Sequence, residues 1–157
     1  ADGAVRIRRG DARRRAPPPD TGLVLTSPPY PGVYDYLPMQ QLRYAWLNNK
    51  PSADFIREIG SRRDFRARGR QDALKQWQKD TAQWISTQAQ VLKQGGRMVI
   101  QVGDGLVGGR AVDTLYPTVQ ALEAAGLSII ARASADRPDH ARNSQRIEHL
   151  VMAERMV

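Results

Sequence analysis

The pentapeptide Thr26-Ser27-Pro28-Pro29-Tyr30 directly follows the apolar run Gly22-Leu23-Val24-Leu25, and it constrains the chain more than any other stretch. The run reads as a buried strand, and open α/β sheets gather their ligands at the carboxyl ends of such strands. Two adjacent prolines fix φ twice and remove two backbone donors, a rigid arrangement that leaves the carbonyls of Ser27 and Pro28 to accept hydrogen bonds from something other than the protein. Tyr30 adds a flat ring beside them. A turn of this kind suits a planar group that carries an NH2.

Composition limits what can surround this turn. The 157 residues suit one domain, and 41% hydrophobic with 25% charged is ordinary for a globular chain. The net charge of +8 is mostly arginine, whose planar fork binds oxyanions in pairs of hydrogen bonds, so a polyanionic partner is favoured. There is no cysteine, which excludes disulfides, zinc-thiolate sites and a thiolate nucleophile and is consistent with a reducing interior. His140 and His149 lack metal-ligand spacing, so no metal is expected. No apolar run approaches membrane-spanning length and the arginine-rich start lacks the apolar core of a signal peptide, so the chain is expected to be soluble, cytoplasmic and nucleoid-associated.

Residues 4–8 alternate apolar and basic side chains, which predicts a short strand breaking at Gly10-Asp11. The continuous apolar character of 22–26 predicts a strand covered on both faces. Leu37, Gln41, Tyr44 and Ala45 predict a helix over 35–48 that ends before Pro51, with Leu42, Trp46 and Leu47 thickening its apolar side. Residues 49–70 carry Arg57, Arg62, Arg63, Arg66, Arg68 and Arg70 with only Phe55, Ile56, Ile59 and Phe65 to anchor them, and read as a mobile basic insertion.

Leu74, Trp77, Thr81, Trp84, Gln88 and Val91 recur at helical spacing, predicting a long amphipathic helix over 71–93 that stops at Gly95-Gly96, its tryptophans in the core. A second strand follows at 97–102, then a glycine-rich loop over 103–109, a helix marked by Leu115, Val119, Leu122 and Ala125, and a strand at 127–132. Residues 135–146 read as a polar loop. The last strand, 147–153, is reached without an intervening helix and is expected to run antiparallel to its neighbour. The order predicts the second half of a doubly wound sheet ending in a reversed hairpin.

Ser27-Pro28-Pro29-Tyr30 resembles the Ser/Asp/Asn-Pro-Pro-aromatic hallmark of the S-adenosylmethionine-dependent DNA amino-methyltransferases, the N4-cytosine and N6-adenine group. The serine form is similar to the N4-cytosine subgroup. Gly10-Asp11-Ala12-Arg13, Tyr34-Asp35-Tyr36, Gln41 to Leu47, Val91 to Arg97 and Ile147 to Val151 also resemble that family, in order, over nearly the whole chain. The resemblance implies a Rossmann-like methyltransferase sheet with a C-terminal antiparallel hairpin, lacking its first two strands, with residues 1–157 the catalytic part of a single domain. The family's glycine-rich cofactor loop and ribose-binding acid have no counterpart here. That departure implies a longer protein, a partner chain that completes the cofactor site, or a lost site.

The resemblance implies methyl transfer from S-adenosyl-L-methionine to the exocyclic amine of a base in DNA. It places Ser27, Pro28, Pro29 and Tyr30 at the reaction, with the Ser27 hydroxyl and the Pro28 carbonyl accepting hydrogen bonds from the two amine protons and Tyr30 stacking on a flipped base. Asp11, Thr26 and Gly103 would lie at the cofactor. Tyr34, Asp35 and Tyr36 would line the target pocket, although Asp35 could equally cap the following helix. Arg62, Arg63, Arg66, Arg68 and Arg70 would contact phosphates. An amino-methyltransferase acting on RNA or another planar amide, and a non-catalytic nucleic-acid-binding subunit, are the alternatives. His149 is expected to be structural.

Overall fold

The computed structural model describes residues 4–48, 58–139 and 144–156. In chain order the elements are β1 (Thr21–Thr26), α1 (Tyr36–Met39), α2 (Gln41–Trp46), α3 (Arg62–Arg68), α4 (Arg70–Ala89), β2 (Leu92–Gly103), β3 (Gly105–Val107), β4 (Arg110–Val112), α5 (Leu115–Ala124), β5 (Leu127–Asp139) and β6 (Ser144–Arg155). The main sheet has the order β1-β2-β6-β5, and β3 and β4 pair separately. β1 and β2 are parallel, as a strand returning through a helical crossover requires, whereas β6 is antiparallel to both neighbours. The fold is therefore mixed α/β with a C-terminal antiparallel hairpin.

Side-chain alternation decides which face of this sheet becomes the core. The register sets Val24 beside Met98, Met98 beside Ala153, and Ile100 beside Val151. Met98, Ile100, Val102, Val151 and Ala153 are completely buried, and they form one cluster with Trp84, Ile85 and Ala89 of α4 and Ala121 and Leu122 of α5. Trp77 is 2% exposed, so both tryptophans of α4 are core, as their spacing predicts.

The other face differs from the expectation that 22–26 is covered on both sides. Leu23 and Leu25 are 56% and 72% exposed, and Leu150 of β6 is exposed with them. The cause is one-sided packing: the cluster holding α4 and α5 takes up Val24, and no described helix packs on the Leu23 and Leu25 side.

Four local expectations are also corrected. Residues 4–8 form no strand, and Val5 and Ile7 are 89% and 94% exposed; a period-two pattern cannot make a strand without a neighbour to pair with. The single helix expected over 35–48 is two short ones, broken where Gln40 takes ψ −1°, and Leu42, Trp46 and Leu47 stay exposed. The helix expected to reach Lys93 ends at Ala89, because Leu92 already belongs to β2, where its side chain is buried. The polar segment 135–146 is not a loop throughout: the ladder between β5 and β6 continues to the pair Asp139 and Ser144, since a two-stranded ribbon satisfies its own backbone whatever its side chains. His140 lies outside the described residues.

Residues 58–70 contain more order than a bare basic segment suggests. Ser61 caps α3 by accepting a hydrogen bond from Asp64 N at 3.2 Å, and Phe65 is 5% exposed against the body of the protein. The remainder of the expected insertion, 49–57 with Phe55, Ile56 and Arg57, lies outside the described residues.

Candidate functional site

β1 ends at Thr26, and the chain turns at once through Ser27-Pro28-Pro29-Tyr30. Ser27 is exposed at the strand's carboxyl end, whereas Tyr30, Pro31, Gly32 and Val33 are buried, so the turn is an outer rim on a buried base. The indole N–H of Trp77 donates to the Pro29 carbonyl at 3.3 Å and ties the turn to α4. Among the described residues no donor reaches the carbonyls of Ser27 or Pro28.

Glycines let the base of the turn approach its neighbours. Gly103, at the end of β2, faces the Tyr30 ring so closely that a Cβ there would lie 2.7 Å from Tyr30 Cε2. Gly32 has φ +68°, a conformation an L side chain rarely adopts, and its N–H donates to the Gly60 carbonyl at 2.9 Å. Gly103, expected at the cofactor, is thus the seat of the Tyr30 ring. Tyr30, expected to offer a stacking face, is 9% exposed and belongs to the core cluster.

The Tyr30 hydroxyl connects the turn to β6. It donates to Glu148 Oε1 at 3.3 Å and also meets Ser27. Glu148 in turn accepts from Arg137 Nη1 at 2.7 Å and from Gln101 Nε2 at 3.2 Å, and Arg137 reaches the Tyr34 hydroxyl. Burial pushes the Tyr30 hydroxyl above its ordinary value; Ser27 opposes that rise and the Glu148 charge adds to it. Gln101 and Arg137 are not among the residues the sequence singles out, and Glu148 enters there only within the family-like stretch 147–151, with no role of its own. Glu148 lies 118 positions from Tyr30 in the chain, and no spacing signal links the two.

Tyr34, Asp35 and Tyr36 are brought together beside this network. The rings of Tyr34 and Tyr36 have centroids 5.3 Å apart, and burial raises the Tyr36 hydroxyl above its usual value. Asp35 makes no side-chain cap on α1. Its Oδ1 accepts from the Arg63 backbone N–H at 2.9 Å, at the start of α3. Glu58 accepts from the Tyr36 backbone N–H and pairs with Arg63 at 3.1 Å.

Asp11 belongs to a different contact set. Its carboxylate accepts hydrogen bonds from three donors of Arg13, Nε, Nη2 and the backbone N–H, and this pairing holds it below its ordinary value. Arg13 also reaches Asp80 of α4 at 3.0 Å, and Thr87 and Gln88 donate to carbonyls of residues 12, 13 and 15, which docks the segment on that helix. Thr26 is half-buried and pairs with Ile100. Of the three positions expected at a cofactor, the Asp11 carboxylate is paired with Arg13 and Gly103 faces the Tyr30 ring.

His149 is 6% exposed, with Ser134 Oγ 2.8 Å from Nδ1 and Asp104 Oδ1 3.3 Å from Nε2. Asp104 also accepts from the backbone and hydroxyl of Thr114, so the imidazole is one member of a buried clamp at the end of β2. Among the described residues no group of three His, Asp or Glu side chains could hold a metal ion, and no helix is long and apolar enough to cross a membrane.

The fold is shared with a protein of Thermus thermophilus provisionally named a DNA modification methylase. Its complex with S-adenosyl-L-methionine matches with a TM-score of 0.56 and 20% identity, over 94% of this chain and 54% of that one. The selenomethionine form matches with a TM-score of 0.52 and 19% identity, over 94% and 51%. The chain therefore spans about half the length of the structures it matches. No protein-family model and no curated protein matches it.

Proposed function

We propose that this chain supplies the acceptor side of an S-adenosyl-L-methionine-dependent DNA amino-methyltransferase, acting on N4 of cytosine. The observation that carries the reading is the end of β1: an exposed Ser27 hydroxyl beside a Pro28 carbonyl that no described donor reaches, on a turn fixed by Trp77 and Gly103. The shared fold with a methylase crystallised with S-adenosyl-L-methionine supports the same reaction class.

The chemistry follows from the amine. An exocyclic NH2 on a pyrimidine or purine is a poor nucleophile because its lone pair is delocalised into the ring. Hydrogen bonds donated by the two amine N–H groups, one to Ser27 Oγ and the other to the Pro28 carbonyl, draw the nitrogen toward tetrahedral geometry and return the lone pair to it; as the N–CH3 bond forms, the sulfonium C–S bond breaks, and the amine then loses one of these protons to solvent. Acceptors held by a proline pair and a buried base need no reorganisation as that change occurs. Such an amine is inaccessible inside a duplex, so the base is flipped out or presented single-stranded. Tyr30 takes part through its hydroxyl, which holds Ser27 on one side and Glu148 on the other, while Tyr34 and Tyr36 present rings at the rim. S-adenosyl-L-methionine supplies the electrophilic methyl when bound. Its site is completed by residues outside those described, from a longer protein or a second chain.

A second reading is a non-catalytic nucleic-acid-binding subunit, favoured by the occupation of Asp11 by Arg13 and of Gly103 by Tyr30. Transfer of labelled methyl to DNA by the complete protein, with nucleoside analysis of the product, separates the two. The expected product is N4-methylcytosine, with Ser27→Ala about a hundredfold slower, a loss typical of one transition-state contact. N6-methyladenine would reassign the base, transfer to RNA alone would reassign the substrate, and no transfer at all would leave the second reading.

A further inference from the structure

We propose that the groove between α3 and the hairpin of β3 and β4 is a track for the phosphates of a nucleic-acid strand, bound by Arg62, Arg66 and Arg70. The proposal rests on the nucleic-acid substrate inferred above and assigns where its backbone lies.

The structure sorts the arginines of 62–70 into two groups. Arg63 is paired with Glu58 and Asp35, and Arg68 with Asp64. Arg63, Arg68, Glu58 and Asp64 border a cavity that Asp80 also lines, so its mixed charge offers no attraction to a polyanion. Arg62, Arg66 and Arg70 instead line a second cavity of about 500 Å3, together with Gly32, Phe65 and the hairpin residues 106–109. No carboxylate among the described residues lines it. Three guanidinium groups facing one open space without a counter-charge repel one another, and an anion in that space removes the cost.

The individual side chains point the same way. Arg70 donates through Nη2 to the Ala111 carbonyl at 2.9 Å, while its buried Nε has no hydrogen-bond partner among the described residues. The bond to Ala111 fixes one edge of the Arg70 guanidinium at the cavity wall, and a phosphate oxygen is an acceptor whose geometry a guanidinium fork fits. Arg62 is held by the Val33 carbonyl at 2.6 Å, which fixes one edge of its fork. Arg66 is exposed and makes no hydrogen bond or ion pair with any described residue.

Opposite the arginines the hairpin turns through Gly108 and Gly109, both at positive φ, with open space where each Cβ would stand. This two-residue turn presents bare backbone to the groove. Gly32, two residues beyond Tyr30, forms part of the same wall. A strand lying in the groove therefore runs past the segment that directly follows the Ser-Pro-Pro-Tyr turn.

The test is a salt series of binding to a fluorescein-labelled 12-mer, single-stranded and duplex, read by anisotropy. Each phosphate contact contributes about 0.7 to 0.9 to the slope of log K against log salt. Arg66→Gln is expected to lower that slope by about this amount and to weaken binding about fivefold to tenfold at low salt. Arg68→Gln should leave both unchanged, and Arg70→Lys, which retains the charge but loses the fork, should weaken binding with a smaller change of slope. Equal effects of Arg66→Gln and Arg68→Gln, or none from Arg66→Gln, would overturn the groove. Pyrophosphate that binds in an Arg66-dependent way while neither oligonucleotide does would overturn the strand and leave only a phosphate site. Methyl transfer is not part of this readout: an intact slope with no transfer sinks the enzyme reading alone, and normal transfer with an Arg66-independent slope sinks the groove alone.

Discussion

The ring of Tyr30 rests on Gly103, with 2.7 Å between Tyr30 Cε2 and the point where a Cβ on residue 103 would stand. The end of β2 and the turn after β1 are thereby fitted to each other, and the fit admits no methyl group. Gly103→Ala is expected to destabilise the protein by about 1–3 kcal/mol through overpacking. Urea unfolding measures this, and a change within about 0.5 kcal/mol, the range of ordinary surface substitutions, would show that the ring moves freely.

Tyr30→Phe removes the hydroxyl that bridges Ser27 and Glu148. Burial raises the Tyr30 hydroxyl above its ordinary value, so the folded state holds the proton more tightly than the unfolded chain does. That contribution is fully present below the unfolded value of about 10 and is lost as pH rises from there through the raised folded value. The wild type should therefore lose stability above about pH 10 that Tyr30→Phe does not lose, and parallel melting curves for the two proteins would contradict the assignment.

Arg13 joins Asp11 to Asp80, whose side chain is 9% exposed. Arg13→Ala leaves the Asp80 carboxylate with Gln76 as its remaining described side-chain partner and should cost about 1–3 kcal/mol. Adding Asp80→Asn should recover part of that loss, and additive losses in the double mutant cycle would exclude direct coupling. Arg13 also lowers the Asp11 carboxyl, so Asp11 stabilises the fold above its unfolded value, and this is lost as pH falls through the depressed folded one. Stability should fall less steeply with acid in Arg13→Ala than in the wild type.

Ser61 accepts the N–H of Asp64 at the start of α3, the helix that carries Arg62 and Arg66. Ser61→Ala should cost about 1 kcal/mol in thermal unfolding, and Ser61→Asp should retain most of the cap. Equal stability of all three proteins would mean that tertiary packing of Phe65 alone holds α3 in place.

Legibility in the sequence follows the range of the forces involved. The long elements are readable because apolar residues mark the structure they form: β1, most of α4, the main part of β2, α5 and the inner halves of β5 and β6 fall where the apolar pattern puts them, while the polar outer halves of β5 and β6 carry no such mark. The expected strand at 4–8 fails because alternation supplies a face and not a neighbour. The β3 and β4 hairpin leaves no periodic trace because its strands have three residues each, although Gly108-Gly109 is a turn signal that locates it. Asp35 reads in the sequence as a target-pocket residue or a cap on the helix after it; in the structure its carboxylate accepts the Arg63 N–H at the start of α3, 28 positions later.

What the sequence determined by itself is the rigid turn: Ser27-Pro28-Pro29-Tyr30 after an apolar strand fixes its own backbone through covalent ring closure, whatever surrounds it. It also determined a basic chain without thiols. Only the tertiary structure decided that Tyr30 is buried on Gly103 and joined to Glu148, that Asp11 is held by Arg13, and that three of five arginines share a cavity that no described carboxylate lines. Those facts depend on contacts between residues up to 118 positions apart, set by strand register and helix packing, to which local propensity is blind.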